Sequence, residues 1–167
     1  GLGIAIINAG VDKIDGRDAS GHQTGLFSTE EYAIYMSFAN KLTPKVSLGV
    51  NVKIFYQVFP IEGTINSKGT GVDAGVIFRP SKDLELGLVV QDWNASYAWN
   101  TGDVFDEKGS TYEDEFPTQI RVGFVYRPGF FDIIGDYTYF RMGDYVFSNR
   151  IRLGAEYIPM ERIFVRA

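Results

Sequence analysis

Val46-Ser47-Leu48-Gly49-Val50-Asn51-Val52-Lys53-Ile54-Phe55-Tyr56-Gln57-Val58-Phe59 is the stretch on which the fold turns. Its even positions read Val, Leu, Val, Val, Ile, Tyr, Val; its odd positions read Ser, Gly, Asn, Lys, Phe, Gln, Phe. One face is wholly apolar and the other mainly polar or small, the period of two that marks a β-strand. Its length matters as much as its pattern. Strands of soluble proteins average about five or six residues. Fourteen residues at about 3.3 Å each rise roughly 45 Å. Tilted by about 40°, they span roughly 35 Å, enough to cross an apolar band of about 25 Å.

The alternation recurs on both sides. Val72, Ala74, Val76 and Phe78 alternate with Asp73, Gly75, Ile77 and Arg79. Leu84, Leu86, Leu88 and Val90 alternate with Glu85, Gly87, Val89 and Gln91, and Ile120, Val122, Phe124 and Tyr126 with Arg121, Gly123, Val125 and Arg127. Ile151, Leu153, Ala155 and Tyr157 alternate with Arg150, Arg152, Gly154 and Glu156. Weaker patterns place strands at 30–42 and 131–141. Short turns containing Pro fall at Thr43-Pro44-Lys45, Pro80-Ser81-Lys82-Asp83, Pro128-Gly129-Phe130 and Pro159-Met160-Glu161, and long polar loops are expected at 12–29, 60–69 and 94–117, with a shorter one near 142–146. Short turns at one end and longer loops at the other are the habit of outer-membrane barrels. The fold expected is all-β: a partial, antiparallel, up-and-down transmembrane β-barrel of about eight to nine strands.

The totals agree. Hydrophobic residues make up 45% of the 167, yet no run reaches the eighteen or so apolar residues of a membrane helix. A barrel wall escapes that test because only alternate residues face lipid. Nineteen Gly, ten Tyr and thirteen Phe suit an all-β chain. A net charge of -5 argues against nucleic acid as a partner. Without Cys, disulfides, thiolate metal sites and Cys nucleophiles are excluded. Gly1–Ile7 already reads as strand and Ile163–Ala167 as another just starting, so residues 1–167 are read as one barrel segment cut from a longer precursor at both ends.

Further motifs bear on function. The run Ala74-Gly75-Val76-Ile77-Phe78-Arg79-Pro80 echoes Val122-Gly123-Phe124-Val125-Tyr126-Arg127-Pro128, with a looser copy ending at Tyr157. Phe78, Tyr126 and Tyr157 therefore close the apolar face just before a turn, where an interfacial aromatic belt sits; repeated hairpin chemistry is the alternative, set second because all three rings share the apolar face. Trp93, Tyr97 and Trp99 are placed where the fifth strand leaves the membrane, with Trp93 and Trp99 assigned to the same belt and a binding groove as the alternative. Charges of both signs fall on the polar face: Lys53, Asp73, Arg79, Glu85, Arg121, Asp132, Asp136, Arg150, Arg152 and Glu156. A soluble barrel would keep its interior apolar, so these charges are expected in a wet or plugged lumen. Counting from the turn at Pro128 puts Asp136 beside Arg121 on one flank and Arg150 or Arg152 on the other.

No cofactor is implied and no enzyme is expected. His22, with Ser20 or Ser28, lies in a Gly-rich loop, where nothing holds the geometry a catalytic dyad needs. The carboxylates of 103–115 invite a hard cation, but Phe105 stands where a third-position ligand belongs, and a solvated acidic loop suffices.

The runs Leu48-Gly49-Val50-Asn51-Val52-Lys53, Asp73-Ala74-Gly75-Val76, Leu86-Gly87-Leu88-Val89-Val90-Gln91-Asp92, Phe116-Pro117-Thr118-Gln119-Ile120-Arg121-Val122-Gly123 and Arg152-Leu153-Gly154-Ala155-Glu156-Tyr157 together resemble the PorV/PorQ-type outer-membrane barrels. These are related to the FadL fatty-acid channels. The resemblance runs from about Glu30 to the end. It implies a bacterial outer-membrane barrel of about fourteen strands and a role beside type IX secretion or surface attachment. The bilayer and other envelope or secretion proteins would be its partners, and a lumen plug would lie N-terminal to these residues. A FadL-like channel for hydrophobic solutes is the second reading, and a soluble β-barrel binder the third.

Overall fold

A computed structural model describes residues 1–59, 65–102, 109–160 and 163–166. Ten strands are found among them: β1 (Leu2–Arg17), β2 (Gln23–Lys41), β3 (Val46–Phe59), β4 (Ile65–Phe78), β5 (Leu84–Asn100), β6 (Thr111–Glu115), β7 (Thr118–Tyr126), β8 (Phe131–Met142), β9 (Tyr145–Met160) and β10 (Ile163–Arg166). They form one antiparallel meander in the order β1-β2-β3-β4-β5-β7-β8-β9-β10. β6 pairs with the upper part of β5 and β7 with its lower part, so β6 and β7 are two pieces of one wall strand broken at Phe116-Pro117. The wall thus has nine positions. No ladder joins β1 to β9 or β10 among the described residues, and the sheet is an open arc.

The register carries the period of two from strand to strand. Leu48 pairs with Val76, Val76 with Leu88, and Leu88 with Val122. This row of apolar side chains therefore lies on one face. On the other face Gly49 pairs with Gly75 and Gly87 with Gly123. The apolar face is the open one: Leu48, Val50, Leu86, Leu88, Val122 and Leu153 are all exposed. Lys53 and Phe55, on the opposite face, are buried.

Curvature follows from a single hydrogen bond. Tyr97 on β5 donates its hydroxyl to Glu31 Oε1 on β2 at 2.6 Å. β2 and β5 are three strand spacings apart, roughly 14 Å along the sheet. Two side chains close that distance only if the sheet curls toward them, so the face of Lys53, Phe55 and Tyr97 is the concave, inner one.

Two expected loops are strand instead. β1 and β2 run through most of 12–29, leaving a turn at 18–22, and β5 and β6 take up much of 94–117. Both errors have one cause. A β-bulge places two residues opposite one and shifts the alternation. The β1–β2 register slips between Val11 and Ile14, where Lys13 has φ 58°. The β4–β5 register slips twice around Val72, where Asp92 and Asn94 have φ 55° and 52°. Polar residues and a broken period look like a loop, although the ladder continues. The shorter loop at 142–146 shrinks to a two-residue turn, with Met142 paired to Tyr145 and Gly143 supplying φ 56°. Residues 60–64 of the second expected loop, and Glu161 of the last turn, lie outside the described residues, while 65–69 belong to β4 and Pro159 and Met160 to β9 instead of loop and turn.

Candidate functional site

The upper inner face of β3, β4 and β5 is built from alternate positions. Phe55 and Phe59 rise from β3, Tyr97 and Trp99 from β5, and Phe116 from the break between β6 and β7. Phe55 stacks on Phe116 with ring centroids 5.4 Å apart and tilts against Tyr97 at 5.5 Å. Tyr97 meets Phe116 at 5.1 Å and Trp99 at 5.8 Å, and Trp99 meets Phe59 at 5.2 Å. Offset and tilted pairs at these separations are the favourable arrangement for aromatic quadrupoles.

A polar network lies below this nest. Ser37 donates to Asn51, whose Nδ2 donates to Asp73 Oδ2 at 3.0 Å. Lys53 Nζ reaches Asp73 Oδ1 at 2.8 Å and Asp92 Oδ1 at 2.7 Å, and stands 5.9 Å from the Tyr35 ring centroid. The backbone N–H of Asp92 donates to Asp73 Oδ1, and Thr118 donates to the Asp92 carbonyl. Lys53 is only 6% exposed. Its position opposite Gly71 explains the room it has. A Cβ at Gly71 would come within 2.8 Å of the Ala95 Cβ, so only glycine lets β4 and β5 approach there. The network ties down the β5 bulge: the positive-φ Asp92 is held through its side chain, its N–H and its carbonyl.

Lower on the inner face, Asp136 pairs across β8 with Gly123 and Arg152. Arg152 Nη1 lies 2.9 Å from Asp136 Oδ1 and Arg121 Nε 3.9 Å from it. Thr138, fully buried, accepts from Arg121 Nε at 3.0 Å and donates to Asp136 at 3.1 Å. Arg150 faces Thr138 in the register but turns its guanidinium over the Phe140 ring at 5.8 Å. The structure thus brings together Arg121, Asp136 and Arg152, and leaves Arg150 beside them without contact to Asp136. The other inner charges pair locally: Arg79 with Glu85 at 2.6 Å, Arg127 with Asp132 at 3.5 Å and Arg166 with Glu156 at 2.9 Å.

Between the two clusters runs a shallow apolar trough of about 420 Å³, floored by Gly49, Gly75, Gly87 and Gly123 and edged by Arg121. At the β5 bulge a second hollow, of about 740 Å³, is lined by outer-face residues such as Val90 and Trp93 and by Ala95 and Phe116 from the inner side.

The four other belt candidates lie on the outer face, and Trp99 does not. Phe78, Tyr126, Tyr157 and Trp93 are exposed there, Tyr157 stacked on Phe131 at 4.8 Å. Trp99 faces inward opposite Ser67, because the double bulge turns Trp93 outward and returns Ala95, Tyr97 and Trp99 to the inner row. His22 sits in the exposed 18–22 turn with Asp18 3.5 Å away. Glu113, Asp114 and Glu115 lie on β6, while Asp103, Asp106 and Glu107 fall outside the described residues. Among the described residues no three acidic or His side chains gather into a metal-holding group.

The sequence reading missed Phe55, Phe59, Phe116, Thr138 and Asp92. A signal existed for the first two: they are the large apolar members of an otherwise polar or small face. Asp92 and Thr138 gave none, because their roles depend on partners one or two strands away.

No family model and no curated protein matches the chain. Among solved structures the chain is similar to a TodX deltaS2S3 mutant monoaromatic hydrocarbon channel, at 12% identity with a TM-score of 0.53. The match covers 99% of this chain and 61% of that one, so the chain spans about three-fifths of the channel's length. It places the fold with that barrel and lends no support to a PorV/PorQ-type assignment.

Proposed function

We propose that the protein is a wall segment of an outer-membrane β-barrel channel that passes small hydrophobic solutes. The observation that carries this reading is the aromatic nest of Phe55, Phe59, Tyr97, Trp99 and Phe116 on the concave face of a sheet whose convex face is apolar and exposed. A soluble binder would put the aliphatic row inside. Here that row faces outward, where lipid covers it, and Phe78, Tyr126, Tyr157 and Trp93 act as interfacial anchors. An inner aromatic surface gives apolar solutes a place to leave water within a lumen otherwise lined by charge. The similar solved structure is a monoaromatic hydrocarbon channel, which supports the same choice. The FadL-like alternative therefore takes the place of the secretion role, which no observation on this chain favours.

The test is flux of toluene into vesicles holding the full-length protein. The wild type should exceed protein-free vesicles. Phe55→Ala with Trp99→Ala should lower the protein-dependent flux about tenfold, the equivalent of roughly 1.4 kcal/mol. Wild-type flux no greater than that of empty vesicles would overturn the proposal.

A further inference from the structure

The hollow at the β5 bulge, about 740 Å³, is graded along the strand. Its lower edge is apolar: Val90 pairs with Ala74 on one side and with Ile120 on the other. Its upper edge is polar: Ser96 pairs with Glu115, and Asn94, Glu113 and Arg141 complete the rim. Trp93, 63% exposed, stands between the two edges. A regular strand sends neighbouring side chains to opposite faces. The bulge lets Trp93 and Asn94 line the hollow together, with Asn94 at φ 52°.

The height of the hollow is fixed by the belt at the turn end. From Leu84, which pairs with Tyr126, to Trp93 the strand rises roughly 30 Å. A tilt of about 40° reduces that to roughly 23 Å, close to an apolar band of about 25 Å. Trp93 therefore marks the far interface, with the apolar edge at acyl depth and the polar rim among head groups. The chemistry of the rim selects between head groups. Among the described residues the side chains of Asn94, Ser96, Glu113 and Glu115 have no hydrogen-bond or ion-pair partner. Arg141 is already engaged, by the Gly143 carbonyl at 2.6 Å and by Asp144 at 3.5 Å. Two free carboxylates beside one engaged guanidinium repel a phosphate. They accept hydroxyl donors well, and Asn and Ser side chains both donate and accept. The indole adds a broad apolar face. A pyranose has the matching parts, a ring of hydroxyls around an apolar C–H face.

We propose that this hollow seats the sugar head of a membrane glycolipid. A neutral pyranose lies on Trp93, its hydroxyls meet Glu113, Glu115, Asn94 and Ser96, and its acyl chains descend past Val90, Ala74 and Ile120. A lipid seated there braces the wall where β6 gives way to β7, because Phe116 closes the hollow from the inner side. The proposal goes beyond the channel reading and shares with it only the lipid-facing outer face.

The test places the full-length protein in phosphatidylcholine nanodiscs that hold equal traces of diglucosyl-diacylglycerol and of phosphatidylglycerol with the same acyl chains, with EDTA present. After release into an amine-oxide detergent, native mass spectrometry reads which lipid stays bound. The glucolipid should be retained at least about fivefold over phosphatidylglycerol. Trp93→Ala should bring that ratio close to one. Glu113→Gln with Glu115→Gln should lower it several-fold, since the charge-assisted bonds and the repulsion of phosphate go together. Unchanged β-sheet circular dichroism in these variants separates loss of the site from loss of the fold. Equal retention of the two lipids by the wild type would sink the proposal. So would a lipid preference that survives Trp93→Ala; if toluene flux also rises in that variant, the hollow is a way through the wall instead. Lipid preference without toluene flux in the wild type would remove the channel reading alone.

Discussion

Lys53 and Asp136 stand on the same inner face, and each is flanked by two groups of opposite charge, yet water reaches the two clusters to different degrees. Lys53 and its partners Asp73 and Asp92 have side chains only 8%, 13% and 17% exposed, and the buried Phe55 follows Lys53 on the same inner row. At the lower cluster Arg152 is 42% exposed and Asp136 23%. The geometry of the best contacts is similar, 2.7 to 2.9 Å, so distance does not distinguish them. Solvent does. Charges held in a dry region interact strongly and are costly to leave unpaired, while a wet pair is screened. The upper cluster therefore fixes the shape of the wall at the β5 bulge, while the lower cluster stays open to water.

The contrast is testable by stability. Lys53→Met should have the largest effect, a loss of about 3–5 kcal/mol, because it strands Asp73 and Asp92 beneath the aromatic nest. Denaturant unfolding of the full-length protein in detergent measures it, and a loss below about 1 kcal/mol would mean that water already reaches the pair. Next comes Phe55→Ala, at about 3 kcal/mol for a large buried ring. Its sharper use is in a double-mutant cycle with Lys53→Met. Opening the nest should wet the ion pairs, so the double variant should lose less than the sum of the two single losses; strict additivity would break the link between the aromatic nest and dry charge. Asp136→Asn is the smallest, within about 0–1 kcal/mol, since its arginines stay hydrated. Raising salt to 1 M, where the screening length is about 3 Å, should erase that small effect and leave most of the Lys53→Met loss. Equal salt sensitivity at both sites would contradict the dry-versus-wet division.

How much of this was legible beforehand depends on the period of two. Wherever the ladder is regular, the sequence sorts its residues correctly. Leu48, Val76, Leu88 and Val122 fall in one outward row, and Arg121, Asp136 and Arg152 come to adjacent inner positions. Counting from the Pro128-Gly129 turn brings Asp136 opposite the Arg121–Gly123 stretch, since a hairpin's register is set by its turn, while the count through the next turn left Arg150 and Arg152 as alternatives. Arg150 marks the limit of such counting. It occupies a suitable inner position, but its rotamer takes the guanidinium to Phe140.

What the sequence by itself determined is therefore the strand period, the two faces and the antiparallel meander, because each is written in residues near one another along the chain. Only the tertiary structure decided the rest. The bulges at Lys13, Asp92 and Asn94 shift the period where polar residues disguise it, so strand reads as loop and Trp93 turns outward, while Trp99 keeps the inner parity of its strand and joins the nest instead of the expected belt. The curl of the sheet then brings Glu31 to Tyr97, and Lys53 to Asp92, across strands that do not touch in the ladder. The physical reason is that alternation is a local property of the pleat, while curvature and bulge position balance side-chain packing across several strands.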